Sequence, residues 1–186
     1  MATLQIRRAG HPILRQVAQS IGDPTDPDIK RLVADMVETM DEAGGVGLAA
    51  PQVGISLRLV IFLVPEGRLS DDPEDTALPL TVLINPVITP LGDAQVAGWE
   101  GCLSLPGLRG LVPRAQRIHY RALDLDGAVV ERTVAGFHAR VVQHECDHLD
   151  GRLYPSRMTD LATLGFAEEF SRAAAEAAEK AAPDGD

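Results

Sequence analysis

The clearest capacity for chemistry in this 186-residue chain lies in two histidines four positions apart, His144 and His148, with Glu145 directly after the first. Residues four apart share one face of an α-helix, so both imidazoles can bind one metal ion. Glu145, one step round the helix, then reaches water held at that ion. Cys146 points off the metal-facing stripe and is predicted to pack in the interior. The pattern predicts a helix that carries a metal site and an acid–base group.

A catalytic metal site also needs a third protein ligand and an open position for water. One candidate is Cys102, because a thiolate with two imidazoles suits zinc or a ferrous ion. The other is a carboxylate, Glu168 or Glu169, about a helix length beyond His148, as in zinc peptidases with this motif. Cys102 taken alone is equally compatible with a small buried apolar residue. The residues by themselves leave this choice open.

A glycine-rich segment before the first predicted strand is the second unusual feature. Gly44, Gly45 and Gly47 are followed by Ala49 and Ala50, and such small residues let the main chain approach a metal or substrate closely. The segment lacks a following Gly-Lys-Ser/Thr and the spacing of a dinucleotide-binding loop. A phosphate-binding loop is therefore not supported.

Three segments together resemble the signature motifs of peptide deformylases, and they occur in that family's order. They are GVGLAAPQ at 45–52, EGCLS at 100–104 and QHECDHL at 143–149. The resemblance extends from about Arg7 to about Thr159 and includes the stretch from Arg109 to Arg114. One motif alone can mislead, whereas three intact motifs in order are specific.

The resemblance implies a hydrolase that removes the N-formyl group from the initiator methionine of new polypeptides and releases formate. It also implies a metal held by Cys102, His144 and His148, with Fe2+ as the physiological ion and Zn2+, Ni2+ or Co2+ as substitutes. Glu145 would be the general base that passes a proton to the leaving amine. The Gln52 side-chain amide and the Leu103 backbone N–H would stabilise the oxyanion.

The resemblance further implies a set of substrate-binding positions. Val46, Phe137 and Val141 would line a pocket for the methionine side chain, and Arg109 would steady the peptide backbone. The full set of expected substrate-binding residues is Gly45, Val46, Gly47, Glu100, Gly101, Arg109, Phe137 and Val141.

The spacing of apolar residues predicts the elements that must position these groups. Helices are predicted over Pro27–Ala43, Phe137–Asp150 and Asp160–Ala182, and strands over Arg58–Val64, Thr81–Ile84, Ile118–Leu125 and Val129–Val134. Asp126-Gly127 predicts a hairpin between the last two strands, and Gly151 a helix stop. The order predicts an α+β fold: short antiparallel strands packed around a central helix carrying the HExxH motif, with a C-terminal helix outside. Residues 1–160 are predicted to be one catalytic domain, and 161–186 a C-terminal helix and acidic tail.

The formal net charge of −10 excludes some partners. Residues 66–79 and 167–186 each carry −4, so the rest of the chain is close to neutral. This charge argues against a nucleic-acid site and against ribosome docking through the C-terminal helix, although transient contact at the ribosome stays expected. The longest apolar run, Leu59–Val64, is too short to cross a membrane, and the first ten residues do not form an apolar leader. A cytoplasmic protein is expected.

Two rival functions make different predictions. A zinc peptidase using a carboxylate ligand would cleave internal peptide bonds and would not depend on Cys102. A non-catalytic, metal-stabilised binding domain would keep its activity when Glu145 is replaced by Gln.

Overall fold

The apolar run LVIFLV forms a strand, Leu59–Val64, that is buried on both of its faces. Its side chains alternate: Val60 and Phe62 pack into one apolar cluster, and Leu59 and Ile61 into another. A strand covered on both faces reads as continuously apolar rather than alternating. This strand is therefore the centre around which the helices are arranged.

The computed structural model describes residues 2–181. Its helices are α1 (Pro27–Glu42), α2 (Gly136–Leu149) and α3 (Ala167–Ala181). Its strands are β1 (Gly47–Ala49), β2 (Leu59–Val64), β3 (Leu78–Pro90), β4 (Gln95–Cys102), β5 (Leu105–Ala115), β6 (Arg117–Leu123), β7 (Val129–Ala135) and β8 (Gly165–Phe166). None of these helices is long and apolar enough to span a bilayer.

The strands form two antiparallel sheets. One sheet has five strands in the order β1-β2-β3-β6-β7, and the other has three in the order β4-β5-β8. Strands β6 and β7 pair in continuous register from Arg117↔Ala135 to Leu123↔Val129, with Gly127 at positive φ between them. The predicted hairpin is thus confirmed.

Helices α1 and α2 cover opposite faces of the five-stranded sheet. Helix α1 begins as predicted, with the Asp26 carboxylate accepting from the Asp28 backbone N–H at 2.8 Å, and its Met36 and Met40 pack with Ile61. Helix α2 packs Val142 and other buried residues on the face that Phe62 presents, and it also contacts β5 of the second sheet. It ends at Leu149 with Gly151 in the left-handed conformation, which confirms the predicted stop.

The predicted α+β class with antiparallel strands is confirmed, but several elements differ from the expectation. Strands β4 and β5 were missed, and the strand expected at Thr81–Ile84 is the centre of the longer β3.

The start predicted for the C-terminal helix, Asp160, is wrong. Residues Leu161–Thr163 form a 3-10 turn, Gly165–Phe166 pair with β5, and only then does α3 begin at Ala167. Pairing with a distant strand overrides the local helical preference of this segment. Ala182 and the rest of the predicted tail lie outside the described residues.

Candidate active site

Helix α2 and the end of β4 bring together three side chains that could hold a metal ion. His144 and His148 lie on α2, and Cys102 is the last residue of β4. One ligand atom from each lies within 4.8 Å of the other two, and Cys102 Sγ is 3.4 Å from His148 Nε2. Within residues 2–181 this is the one group of three or more His, Cys, Asp or Glu side chains so placed.

The donor chemistry of this group fits a divalent metal ion. One thiolate and two imidazoles are ligands that zinc and iron accept, and three protein ligands leave a position for water. The carboxylate alternative is wrong, because Glu168 and Glu169 lie exposed on α3. Cys146 is buried and outside the ligand group, as predicted, and burial raises the pKa of its thiol well above the ordinary value.

Glu100 fixes the orientation of His144. Its Oε2 lies 2.8 Å from His144 Nδ1, which leaves Nε2 free for a metal. Arg114 donates to both carboxylate oxygens at 2.9 Å, and Arg140 donates to Oε1 at 2.9 Å. Burial opposes ionisation of Glu100, but the hydrogen bonds from Arg114 and His144 outweigh it, so the pKa of Glu100 lies far below its ordinary range. Both oxygens of this carboxylate are therefore used inside the protein.

A buried ion-pair network continues from Glu100 to helix α2. Arg114 also donates to Asp147 on α2, and Asp147 accepts from Arg157 in the 3-10 turn that follows. Arg114 and Asp147 are each about 5% exposed, so these charges depend on one another. The network joins the sheet that carries Cys102 to the helix that carries both histidines.

Glu145 is buried beside these ligands with one oxygen unsatisfied. It is 4% exposed, and its Oε2 has no hydrogen-bond partner. Burial raises the pKa of Glu145 to about 7, which suits a group that takes and returns a proton near neutral pH. A Cβ on Gly47 would lie 2.2 Å from Glu145 Oε1, so the space for this carboxylate depends on glycine at position 47.

The Gln52 amide points its NH2 group toward Cys102. Its Oε1 accepts from the Ala49 backbone N–H at 2.8 Å, and this contact fixes the orientation of the amide. Its Nε2 lies 3.5 Å from Cys102 Sγ and 3.2 Å from Ser104 Oγ. A buried donor is thus held beside the ligand group. Leu103 follows Cys102, and its Cδ1 would lie 2.9 Å from a Cβ on Gly45, so glycine at 45 gives room to that side chain.

Comparison with known proteins decides the family. A sequence profile of the family described as polypeptide deformylase matches residues 3–163. The chain belongs to the polypeptide deformylase family.

Relatives agree with this assignment over most of the chain. Peptide deformylase 1 of Nitrosomonas europaea is 50% identical over 163 residues, covering 88% of this chain and 92% of the relative. The structure of peptide deformylase from Ehrlichia chaffeensis in complex with actinonin is 33% identical with a TM-score of 0.80, covering 88% and 92%. The Met-Ala-Ser-bound class I type b peptide deformylase from Acinetobacter baumannii is 38% identical with a TM-score of 0.76, covering 84% and 99%. The chain is therefore an enzyme, and a non-catalytic binding domain is set aside.

The deformylase motifs line one cavity of about 1440 Å³. Two of the candidate metal ligands, Cys102 and His144, face it, as do Glu145, Gln52 and Leu103. The structure also places on its walls every residue expected to bind substrate, namely Gly45, Val46, Gly47, Glu100, Gly101, Arg109, Phe137 and Val141. Arg109 lies on β5 with its guanidinium carbon 4.5 Å from the centroid of the Trp99 ring.

Sequence reasoning missed several arginines of this deformylase cavity, among them Arg140 and Arg68. Arg140 precedes His144 by one helical turn, so the facing that selected Phe137 and Val141 could have found it. Its Nη2 donates to Val96 O at 2.7 Å. A Cβ on Gly98 would lie 2.7 Å from the guanidinium carbon of Arg140, so glycine at 98 leaves room for this side chain. Arg68 belongs to the acidic segment 66–79, and no local pattern marks it as a cavity residue.

Proposed function

We propose that this enzyme hydrolyses the formyl–nitrogen bond of N-formylmethionine at the start of new polypeptides and releases formate. The observation that carries the proposal is the convergence of Cys102, His144 and His148 beside the buried carboxylate of Glu145. Cys102, His144 and Glu145 of this group line one cavity. Family membership supports the same reaction. Because its proposed substrate is a nascent chain, we expect the enzyme to act in the cytoplasm and to contact the ribosome transiently.

The ligand group would hold one Fe2+ ion per chain, with Zn2+, Ni2+ or Co2+ as substitutes. A divalent ion bound there lowers the pKa of a bound water and polarises a carbonyl oxygen. The thiolate of Cys102 supports a transition metal in preference to magnesium or calcium, which favour oxygen ligands. Glu100 supports the site by orienting His144.

Glu145 would take the proton from the attacking water and deliver it to the amine that leaves. Its burial and its pKa of about 7 support both halves of this role, since a base of that strength also serves as an acid. Its free Oε2 is available for the exchange. Gly47 keeps open the space in which the carboxylate lies.

The Gln52 amide and the Leu103 backbone N–H would stabilise the negative charge that develops on the formyl oxygen. The bond from Ala49 N–H holds the amide in place before the substrate arrives, so no reorganisation is needed during the reaction. A preorganised donor of this kind lowers the activation barrier by about 3–4 kcal/mol in other enzymes.

Val46, Phe137 and Val141 would form the walls around the methionine side chain, and Arg109 would steady the peptide backbone. The three wall residues share the cavity with His144, which places an apolar surface next to the reacting centre. The Met-Ala-Ser ligand of the similar Acinetobacter baumannii enzyme supports a methionine at the first position. Stacking on Trp99 supports Arg109 as a fixed positive group on the cavity wall.

The test measures formate released from formyl-Met-Ala-Ser by iron-loaded protein purified without oxygen. We expect Glu145→Gln and Cys102→Ala each to lower kcat/KM by at least about 100-fold, since each removes a group that acts on the reacting atoms. Cys146→Ala is the matched control for the cysteine, because that thiol lies outside the ligand group, and it should retain activity. Absence of formate with the unaltered protein would overturn the proposal.

A further inference from the structure

Helix α2 lacks a capping side chain of its own. Its N-cap residue is Ala135, which makes no side-chain hydrogen bond to the first turn. A carboxylate from the acidic segment takes that place: Asp75 Oδ2 accepts from Phe137 N at 2.9 Å, and Asp75 Oδ1 accepts from His138 N at 3.0 Å. These are the first-turn N–H groups that a helix leaves unsatisfied, and the positive end of the helix dipole favours an anion there.

The surroundings of Asp75 are built for a carboxylate. Its side chain is buried, with Asp75 only 5% exposed, and Oδ2 also accepts from Ser70 N at 2.7 Å and Ser70 Oγ at 2.8 Å. Gly136 has φ +57°, and a Cβ there would lie 2.1 Å from Asp75 Oδ2. A residue other than glycine at 136 would therefore displace the carboxylate as well as strain the backbone.

The same contact controls one wall of the substrate cavity. Phe137, whose N–H binds Asp75, contributes its side chain to that wall. Arg68, seven residues before Asp75, also lines the cavity and lies 5.5 Å from the centroid of the Phe137 ring. The acidic segment thus holds Phe137 from two sides: by its backbone through Asp75 and by its ring through Arg68.

We propose that Asp75 is a positioning residue for substrate selection, which fixes the Phe137 wall against the side chain of the first substrate residue. The inference rests on the proposed function, in which that wall surrounds methionine. Asp75 touches neither the metal ligands nor Glu145, and His144 lies two helical turns beyond Phe137. Loss of the Asp75 contact should therefore loosen the apolar wall and leave the reacting groups in place.

The experiment compares Asp75→Asn with Asp71→Asn on two substrates, formyl-Met-Ala-Ser and formyl-Ala-Ala-Ser. Asparagine has an NH2 group in place of one carboxylate oxygen. That NH2 group would lie against backbone N–H or Ser70 donors and could not accept their hydrogen bonds. Asp71 is the matched control, because it is exposed in the same segment and loses the same charge. For Asp75→Asn we expect KM for the formyl-methionyl peptide to rise roughly fivefold with kcat within about twofold of wild type.

The formyl-alanyl peptide distinguishes a role of Asp75 in substrate selection from a role in folding alone, because a folding role would not change the ratio between the two substrates. Its side chain does not reach the apolar wall, so we expect its KM to stay within about twofold and the preference for methionine to fall roughly fivefold. Metal content per chain should equal that of wild type. Ser70→Ala serves as the second variant if Asp75→Asn does not fold, since it removes one donor to the carboxylate and should shift the preference in the same direction.

Three results would overturn the inference. Kinetic constants of Asp75→Asn equal to those of Asp71→Asn would show that the cap does not act on substrate. Equal losses on both peptides would show a general effect on the fold or on the reacting groups. Absence of formate with the wild-type enzyme would overturn the proposed function and this inference together, and it is distinguished from the other two because it appears without any substitution.

Discussion

At the scale of single residues, Glu100 explains how the ligand group is held. The family resemblance predicted it as a substrate-binding residue, and it does line the cavity. The structure also shows its carboxylate bound to His144, Arg114 and Arg140. The sequence could not reveal this, because its partners lie on different elements and 14 to 44 residues away. A buried carboxylate with three cationic or potentially cationic partners is costly to lose.

Replacing Glu100 by Gln should destabilise the enzyme far more than the same change at the surface. The variant leaves the buried Arg114 and the part-buried Arg140 short of a counter-charge, so we expect the free energy of unfolding in urea to fall by about 3 kcal/mol. Glu74→Gln is the control, because Glu74 pairs with Arg117 where both side chains are more than a third exposed, and its cost should stay below about 1 kcal/mol. Equal costs at the two positions would contradict the role given to Glu100.

A second residue-scale prediction concerns Gly47. An added methyl group would meet Glu145 Oε1 at 2.2 Å, so Gly47→Ala must displace the proposed general base. We expect kcat for formate release to fall at least about tenfold while circular dichroism stays unchanged. Gly67→Ala is the matched control, because nothing lies within 4 Å of its added Cβ. Full activity of Gly47→Ala would show that Glu145 is not needed in its present position.

At the scale of elements, the sequence predicted those parts whose pattern is local. Helix α1 has its own Asp26 cap and apolar stripe, and the β6–β7 hairpin has its Asp-Gly turn, so both were predicted nearly to the residue. Strand β5 was missed because its sequence, LPGLRGLVPRA, contains two glycines and two prolines and becomes a strand only by pairing with β4. Helix α2 was predicted from its stripe, but its cap was not, since Asp75 lies some 60 residues earlier.

The cap of helix α2 makes a prediction about stability and pH. Burial opposes ionisation of Asp75, but hydrogen bonds from Ser70, Phe137 and His138 outweigh it and hold its pKa below the ordinary value of 3.8. A group with a lowered pKa stabilises the folded state above its unfolded pKa and loses that contribution as the pH falls through the folded value. We therefore expect Asp75→Asn to lower the free energy of unfolding by about 1–2 kcal/mol at pH 6 and by progressively less below pH 4. Urea unfolding from pH 3 to 7 measures this difference.

Asp71→Asn is the control for that measurement as well. Its carboxylate is exposed, so its cost should be near zero across the same range. If Asp75→Asn lowered the free energy of unfolding by the same amount down to pH 3, the stabilisation by Asp75 would come from the shape of its side chain and not from its ionised carboxylate.

At the scale of the whole molecule, the site is assembled from segments that are distant in sequence. Gln52, Cys102 and His144 reach one cavity from the 3-10 turn after β1, the end of β4 and helix α2. The spacing within QHECDHL predicted two ligands from helix geometry alone. Donor chemistry offered Cys102 as one of two candidates for the third, and the family resemblance decided that choice and added Gln52. Local periodicity does not encode which strands pair, and the third ligand depends on that pairing.

The net charge of −10 is also a property of the whole molecule, and part of it is carried by the C-terminal segment. Residues 173–186 carry four acidic and one basic side chain, and the described part of this segment up to residue 180 is exposed. Phe170, by contrast, packs against Trp99 with the two rings tilted by 57° and their centroids 5.0 Å apart. The Arg109 guanidinium lies over the same Trp99 ring. The start of α3 therefore supports the cavity, and its later turns do not.

Removing residues 173–186 should therefore leave catalysis unchanged, although it removes three of the ten net negative charges. Exposed charges are screened at physiological ionic strength, and residues 173–180 do not line the cavity. We therefore expect kcat/KM for formyl-Met-Ala-Ser within about twofold of the full chain. Phe170→Ala is the opposite test: it removes the ring that supports Trp99, and we expect KM to rise roughly threefold through Arg109. If the truncated enzyme lost activity while Phe170→Ala kept it, the later turns of α3 and their charge would have to act on the substrate.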